Sequence, residues 1–544
     1  MLFSSGVFLI GFLPLTLFGF YALGIAGRQR LALGWLTLMS LVFYGWWNPA
    51  YVPLLLASMG GNYLLGRRLG RHPSRALLAA GVAGNVLLLG YFKYTGFAVE
   101  TLDGAFGLGW TLPHIVLPLA ISFFTFQQIA YLSDAHDGVA VEHDFPNYCL
   151  FITFFPHLIA GPITHHREML AQFADRSILT PRPELISSGA TLFLLGLFKK
   201  VMVADQLAGY VAPVFAAAAD GTPPTLLPAW GGALAYALQI YFDFSGYTDM
   251  AIGLGLLFGI SLPPNFDSPY KARNIIEFWS RWHMTLTRFL TAYVYNPVVL
   301  RVSRRRLRSG KPMPRRGKTT VGAFASIVAF PTMLTMFVSG VWHGAGWQFI
   351  AFGLLHGTYL TANHGWRAVK ARLGWPMEGR YAVLRPASVL FTFVCVVVAQ
   401  VFFRAPDLHA ALAVVSGMAG RNGIVADWSL YETHVLHRAI DVLGVPLAID
   451  PMFQRPQAIA IACLLLVVWT MPNTQQWMRH TRTALGAAPA PGWLESLGAR
   501  IGARLPLAAW RPTVACGALV GALGFVALAR ALSVAPSEFL YFQF

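Results

Sequence analysis

His343 lies in the string Val338-Ser339-Gly340-Val341-Trp342-His343-Gly344-Ala345-Gly346-Trp347, between two apolar stretches. His283 lies in Phe278-Trp279-Ser280-Arg281-Trp282-His283-Met284-Thr285-Leu286. An imidazole is the side chain able to take and return a proton near neutral pH, so either ring suits general acid–base work. On a continuous helix Trp279, Trp282, His283 and Leu286 fall at i, i+3, i+4 and i+7, with Arg281, Thr285 and Arg288 on another face. That spacing gives His283 two indoles for company, as in an aromatic-walled tunnel, and lets Arg281 meet a phosphate-bearing donor such as coenzyme A. For each histidine a core ring satisfied by a neighbouring carbonyl, in the second case beside a snorkelling arginine, accounts equally for the residue types.

Two carboxylates follow an apolar run in Tyr241-Phe242-Asp243-Phe244-Ser245-Gly246-Tyr247-Thr248-Asp249. Acidic groups at membrane depth are rare and usually functional, so Asp243 is expected to orient polar site residues; capping a helix that continues from Met250 is the structural alternative. The chain ends Glu538-Phe539-Leu540-Tyr541-Phe542-Gln543-Phe544. Tyr541 follows the last apolar run by about nine residues, a reach of some 30 Å at most. It can fold back to a pocket or anchor the chain at an interface, where Tyr and Phe are favoured.

The elements that must position these residues follow from composition. A chain of 544 residues, 56% hydrophobic and 12% charged, carries too much apolar surface for a water-soluble globule. Apolar stretches recur at 8–23, 76–91, 191–203, 323–337, 389–403, 459–469 and 514–532. They lack the alternation of barrel strands, and lipid cannot satisfy open sheet edges, so the fold class is all-α and polytopic, with roughly ten to twelve transmembrane helices of about 20 residues each. A helix leaving Thr320 would rise about 34 Å by His343, but Pro331 and the glycines around His343 predict that it breaks earlier, leaving His343 partway through the membrane. Gly161-Pro162 and Pro263-Pro264 at apolar depth predict re-entrant or interrupted elements, tolerated only where the freed backbone is buried in protein or faces a watery cavity.

The formal charge of +17 sits between the apolar stretches: Arg28 and Arg30, then Arg67, Arg68 and Arg71, then the basic loop 301–318, then 479–511. That placement fits an anionic lipid membrane and the positive-inside rule, not nucleic acid. It makes those segments cytoplasmic and both termini extracytoplasmic. The stretch 405–457, with Trp428, Leu430 and Tyr431 among scattered charges, reads as interfacial helix. Cys149, Cys395, Cys463 and Cys516 have no paired spacing and read as buried small hydrophobes. Neither His-Glu-x-x-His, Gly-x-Ser-x-Gly, a Gly-Lys phosphate loop nor Cys-x-x-Cys occurs, and no histidine precedes an aspartate by five positions; no metal is expected.

Taken in order, Phe43-Tyr44-Gly45-Trp46-Trp47-Asn48-Pro49, Ile121-Ser122-Phe123-Phe124-Thr125-Phe126-Gln127, Phe155-Pro156-His157-Leu158-Ile159-Ala160-Gly161-Pro162, the Asp243 string, Arg281-Trp282-His283 and Trp342-His343-Gly344 resemble the membrane-bound O-acyltransferase family. The resemblance is to the bacterial branch typified by the membrane subunit of alginate O-acetylation, and it runs through nearly the whole length. It implies one membrane domain over 1–532, with re-entrant helices around a central funnel and tunnel, and an extracytoplasmic tail over 533–544, in a bacterial inner membrane. It implies that His343 is the catalytic histidine at the base of an outward funnel, with His283 on the tunnel toward the cytoplasm and Trp279, Arg281, Trp282, Trp342 and Asp243 along the substrate path. Tyr541 resembles the tyrosine of a Phe-x-Tyr-x-x-Phe terminal motif, which implies an acyl relay through its phenol. The donor implied is acetyl-CoA, and the partner an extracytoplasmic polysaccharide acetyltransferase. Where the family often continues with an Arg-Asp pair and Pro-Leu-Gly-Gly, this chain reads Thr291-Ala292 and Pro297-Val298-Val299, which leaves the polymer open. Transfer of D-alanine or another acyl group, and transport of a polymer or lipid-linked sugar without acyl chemistry, are the alternatives.

Overall fold

The structure, a computed structural model, describes residues 1–110, 115–139, 144–315, 317–375, 384–481, 483–486, 496 and 507–540. Helices dominate; among the described residues the only strand pairing is a parallel pair of two-residue segments, Ala426 with Leu447 and Asp427 with Ala448. This is the outcome required where backbone groups have no water to bond: each helix satisfies its own N–H and C=O groups. Among the described residues, six helices are long and apolar enough to cross a membrane: Val7–Ile25, Arg75–Phe106, Pro183–Ala219, Val321–His343, Arg385–Arg404 and Val514–Ser533. Shorter apolar helices are Leu408–Met418 and Arg455–Thr470. The chain is an all-α polytopic membrane protein.

It builds two compact units. One comprises Met1–Met202, Phe244–Asn265 and Thr474–Phe544, the other Val203–Asp243 and Phe266–Asn473. In the first, the Val514–Ser533 helix packs along Pro183–Phe198, where Gly524 admits the Leu194 side chain. Residues 154–164 are buried although mostly non-helical, and 258–268 run through Pro263-Pro264 without a helix, so irregular backbone does lie inside protein, as the Gly-Pro and Pro-Pro strings predict.

In the second unit the dominant packing is a hairpin of Phe330–His343 on Trp347–Arg372. Pro331 does not break the span: it sits in the first turn of Phe330–His343, directly after a π-helical turn at Ala325–Ala329, so helix continues from Val321 to His343. A first-turn proline loses no needed hydrogen bond, and the expectation of an earlier break is corrected: the break falls at Gly344, placing His343 at the helix end. The hairpin closes where Gly340 faces Gly353. A Cβ at Gly353 would sit 2.5 Å from the Met336 carbonyl oxygen and 3.1 Å from Gly340 Cα, so only glycine allows this backbone approach.

The expected basic loop is helical in its first half, Asn296–Arg308, its arginines collecting toward the C-terminal end, where the helix dipole favours cations. Arg306 faces the protein and donates to the Pro312 and Gly322 carbonyls and to Ser326 Oγ, whereas Arg301, Arg304, Arg305 and Arg308 form an exposed stripe at helical spacing. Between Ala426 and Ala448 lie two more short helices, Trp428–Tyr431 and His434–Leu443, with Trp428, Val442, Leu443 and Ile449 exposed, a surface of the interfacial kind. The Asp427 carboxylate ties this module together by accepting from the Ser429 and Asp450 backbone N–H groups at 2.9 and 2.8 Å.

Gly353→Val should therefore lower the thermal unfolding midpoint in detergent by several degrees, since overpacking a tight crossing costs about 1–3 kcal/mol. Gly84→Val, at a helical glycine with open space around it, should leave the midpoint unchanged.

Candidate active site

His343 is the last residue of its helix, and Gly344 leaves in extended backbone. The turn that follows is shaped by Phe349, whose ring occupies the space a Cβ on Gly344 would need. The imidazole is buried and meets aromatic edges on three sides: Phe403 at 5.0 Å, Phe352 at 5.8 Å and the adjacent Trp342 at 4.9 Å between ring centroids. Ser339, one turn earlier on the same helix face, is buried, and its hydroxyl has no hydrogen-bond partner among the described residues.

His283 is fully buried and reaches the same cluster through Trp342, 6.2 Å away. Its backbone was not legible in the sequence. The expected continuous helix breaks: Ile275–Trp279 ends, the chain turns through Ser280 to Trp282, and His283 caps Met284–Leu290 with φ +43° and ψ +52°. The shared face of Trp279, Trp282, His283 and Leu286 is thus replaced by a kinked arrangement. A non-glycine residue in the left-handed region costs about 1–3 kcal/mol and persists where the surroundings over-determine it, commonly at functional sites.

The two indoles of this motif go separate ways. Trp282 is buried against Phe278 at 5.6 Å, Phe266 at 5.1 Å and Tyr270 at 6.1 Å; the Tyr270 hydroxyl donates to the Ala237 carbonyl at 2.6 Å and accepts from Gln400 Nε2 at 3.2 Å. Trp279 Nε1 donates to His356 Nδ1 at 3.3 Å. With Nδ1 accepting, the neutral His356 ring carries its proton on Nε2. His356 was missed by the sequence reading. Buried and 4.7 Å from Phe352, it joins Trp279 to the ring that also flanks His343.

Arg281 is engaged by protein carboxylates. Its guanidinium donates to Glu277 Oε1 at 2.8 Å and to the Asp267 carbonyl at 3.2 Å, with Asp267 Oδ2 at 3.9 Å. Glu277 also binds Arg273 at 2.9 Å. Burial pushes the Glu277 carboxyl up, but hydrogen bonds from Arg273 and the charges of Arg281 and Arg273 outweigh it and hold Glu277 below the usual carboxylate range. With Lys271 bonded to the Met471 carbonyl at 2.5 Å, residues 267–281 hold three cations against two carboxylates, a pre-formed and partly exposed basic cluster.

Asp243 is buried in mid-helix, within Leu226–Leu257, and so is Asp249. Neither caps a helix starting at Met250, and that expectation is corrected: the helix runs unbroken through Met250. Asp249 instead accepts from Lys199 Nζ at 2.6 Å. Tyr541 lies outside the described residues. Among the described residues no cluster of His, Cys, Asp and Glu could hold a metal ion. The arrangement is that of an imidazole site enclosed by aromatic rings, suited to moving a proton where water is scarce.

Similarity to known proteins bears directly on this chemistry. The family model for the membrane-bound O-acyltransferase family matches residues 139–311. The chain is 35% identical over 530 residues to a peptidoglycan O-acetyltransferase of Helicobacter pylori, covering 89% of this chain and 93% of that protein. It is 34% identical over 554 aligned positions to a probable alginate O-acetylase of Pseudomonas putida, covering 100% of both. A teichoic acid D-alanyltransferase of Bacillus subtilis is 28% identical over 287 residues, 52% of this chain and 68% of that protein. Spanning helices, buried imidazoles and full-length similarity to acetylating enzymes lead to one conclusion: the chain belongs to the membrane-bound O-acyltransferase family and is an O-acyltransferase.

Proposed function

We propose that this enzyme takes an acetyl group from cytoplasmic acetyl-CoA and delivers it, across a bacterial inner membrane, for O-acetylation of an extracytoplasmic polysaccharide. His343 acts as the general base. Its imidazole removes the proton from an incoming hydroxyl, the oxygen forms an ester bond to the acetyl carbon as the carbon–sulfur bond of the thioester breaks, and the proton passes to the departing thiolate. The supporting observation is the position of His343 at the end of a spanning helix, walled by Phe352, Phe403 and Trp342. Apolar walls exclude the water that would otherwise hydrolyse the acyl group.

His283, Trp279, Trp282 and Trp342 line the donor's path in this reading. The cluster of Lys271, Arg273 and Arg281 attracts the phosphates of coenzyme A, Glu277 holding two of the cations in place. The hydroxyl acceptor is Tyr541, whose ester an extracytoplasmic transferase partner passes to the polymer. Acetylation, of peptidoglycan and of alginate, is also what the names of the Helicobacter and Pseudomonas relatives describe, which favours acetyl over the D-alanine named for the Bacillus relative. Both termini then face away from the cytoplasm.

Purified enzyme incubated with labelled acetyl-CoA should release free coenzyme A. His343→Ala should slow release by about 10²–10⁴-fold, the usual worth of a positioned general base. Undiminished release by His343→Ala would contradict the assignment, and preference for a D-alanyl donor would replace the acetyl reading.

His283→Asn separates strain from chemistry. Asparagine tolerates the left-handed backbone, so the thermal midpoint should hold while turnover drops at least about tenfold, a trade-off expected at a strained functional residue. Equal loss of both would make His283 a core residue only.

A further inference from the structure

Two adjacent lysines, Lys199 and Lys200, stand inside the candidate span Pro183–Ala219, on a π-helical turn at Lys199–Ala204. Cations are costly at membrane depth and are retained with a partner or a task, and π-helical turns recur at functional sites. Lys199 is accounted for structurally. Its ammonium donates to Asp249 Oδ2 and Thr474 Oγ1, each at 2.6 Å, and Gln475 supports Asp249 at 3.4 Å.

Lys200 does something different. It is only 5% exposed, and its ammonium donates to the backbone carbonyl of Glu538 at 3.1 Å, 338 residues away and at the start of the C-terminal tail. The next residue, Phe539, is 2% exposed, with its ring 4.5 Å from Tyr247 and 5.8 Å from Phe244. Tyr247 in turn stacks on Phe3 at 4.9 Å, and Leu540 is buried as well. The tail entrance is therefore folded into the protein, not spread on its surface.

The approach that brings Lys200 here rests on glycine. Gly196, one turn before Lys200, faces Gly246: a Cβ at Gly246 would lie 2.8 Å from the Gly196 carbonyl oxygen, and seven residues along each helix Gly189 and Gly253 repeat the contact. Phe244 and Tyr247 are three apart on the Leu226–Leu257 helix, hence on one face, and Phe244 directly follows Asp243.

We infer that Lys200 is a positioning residue which, with the seat of Phe539 on Phe244 and Tyr247, docks the C-terminal tail and so presents the Tyr541 hydroxyl for acyl transfer. The inference rests on the relay reading of Tyr541. Phe539 precedes Tyr541 by two residues, at most about 7 Å of chain. Docking converts a search by a loose chain end into an intramolecular delivery.

The test uses Lys200→Met, which keeps length and apolarity but removes the donor, and Phe539→Ala, which removes the ring from its seat on Phe244 and Tyr247, each checked for folding by its thermal unfolding midpoint in detergent. Carboxypeptidase trimming of the intact protein reads docking, and mass spectrometry of the C-terminal peptide after labelled acetyl-CoA reads the acyl group on Tyr541. In both variants trimming should accelerate, and Tyr541 acetylation fall, by about tenfold or more, the size expected for losing a charge-assisted hydrogen bond or its packed neighbour. Lys200→Arg should restore both. Unchanged trimming in Lys200→Met and Phe539→Ala would overturn the docking. Wild-type protein bearing no acetyl on Tyr541 would overturn the relay, and with it the catalytic purpose of the dock, whatever the trimming rate.

Discussion

Polar side chains inside a lipid-facing bundle have little water to bond, so the partners the protein supplies carry much of their cost of burial. Around His343 it supplies three aromatic edges, those of Phe352, Phe403 and Trp342, which fix the plane of the imidazole by packing. The packing itself depends on the Gly340 and Gly353 crossing, which lets Phe330–His343 and Trp347–Arg372 approach backbone to backbone. Remove that approach and the imidazole loses the wall made by Phe352.

The same constraint favours pairing, and several buried polar residues elsewhere in the bundle are paired. Trp279 donates to His356, Tyr270 bonds the Ala237 carbonyl, Lys199 takes Asp249, and Asn62 and Asn85 exchange hydrogen bonds with Gln128 alongside. His283 adds backbone cost to burial, in a left-handed conformation disfavoured for its residue type. A fold that holds such a residue has built the site at some expense of stability, in keeping with the exchange between activity and rigidity common in enzymes.

Much of this was legible in the residues, because hydropathy is the quantity that lipid reads. The helical class and the two apolar helices on either side of His343 follow from apolar runs and their interruptions. What escaped has identifiable causes. The break at His283 depends on a φ angle that residue types do not encode, so the helical spacing of Trp279, Trp282 and His283 misled. Pro331 fell in a first turn created by a preceding π-helical turn, a register the sequence does not announce. His356 pairs with Trp279 across 77 residues, beyond any local pattern. Lys199 and Lys200 did leave a signal, two charges in the apolar run 191–203, because a cation at membrane depth is rarely kept without a partner or a task.

A structure of the enzyme with a non-hydrolysable acetyl-CoA analogue, its thioester sulfur replaced by a methylene, tests the central claim most directly. The analogue's carbonyl carbon is predicted to lie near His343, with room for one hydroxyl oxygen between them, at the separations of about 3–3.5 Å that reacting atoms require. An analogue whose acyl end rests away from His343, with that imidazole sealed among Phe352, Phe403 and Trp342, would contradict it.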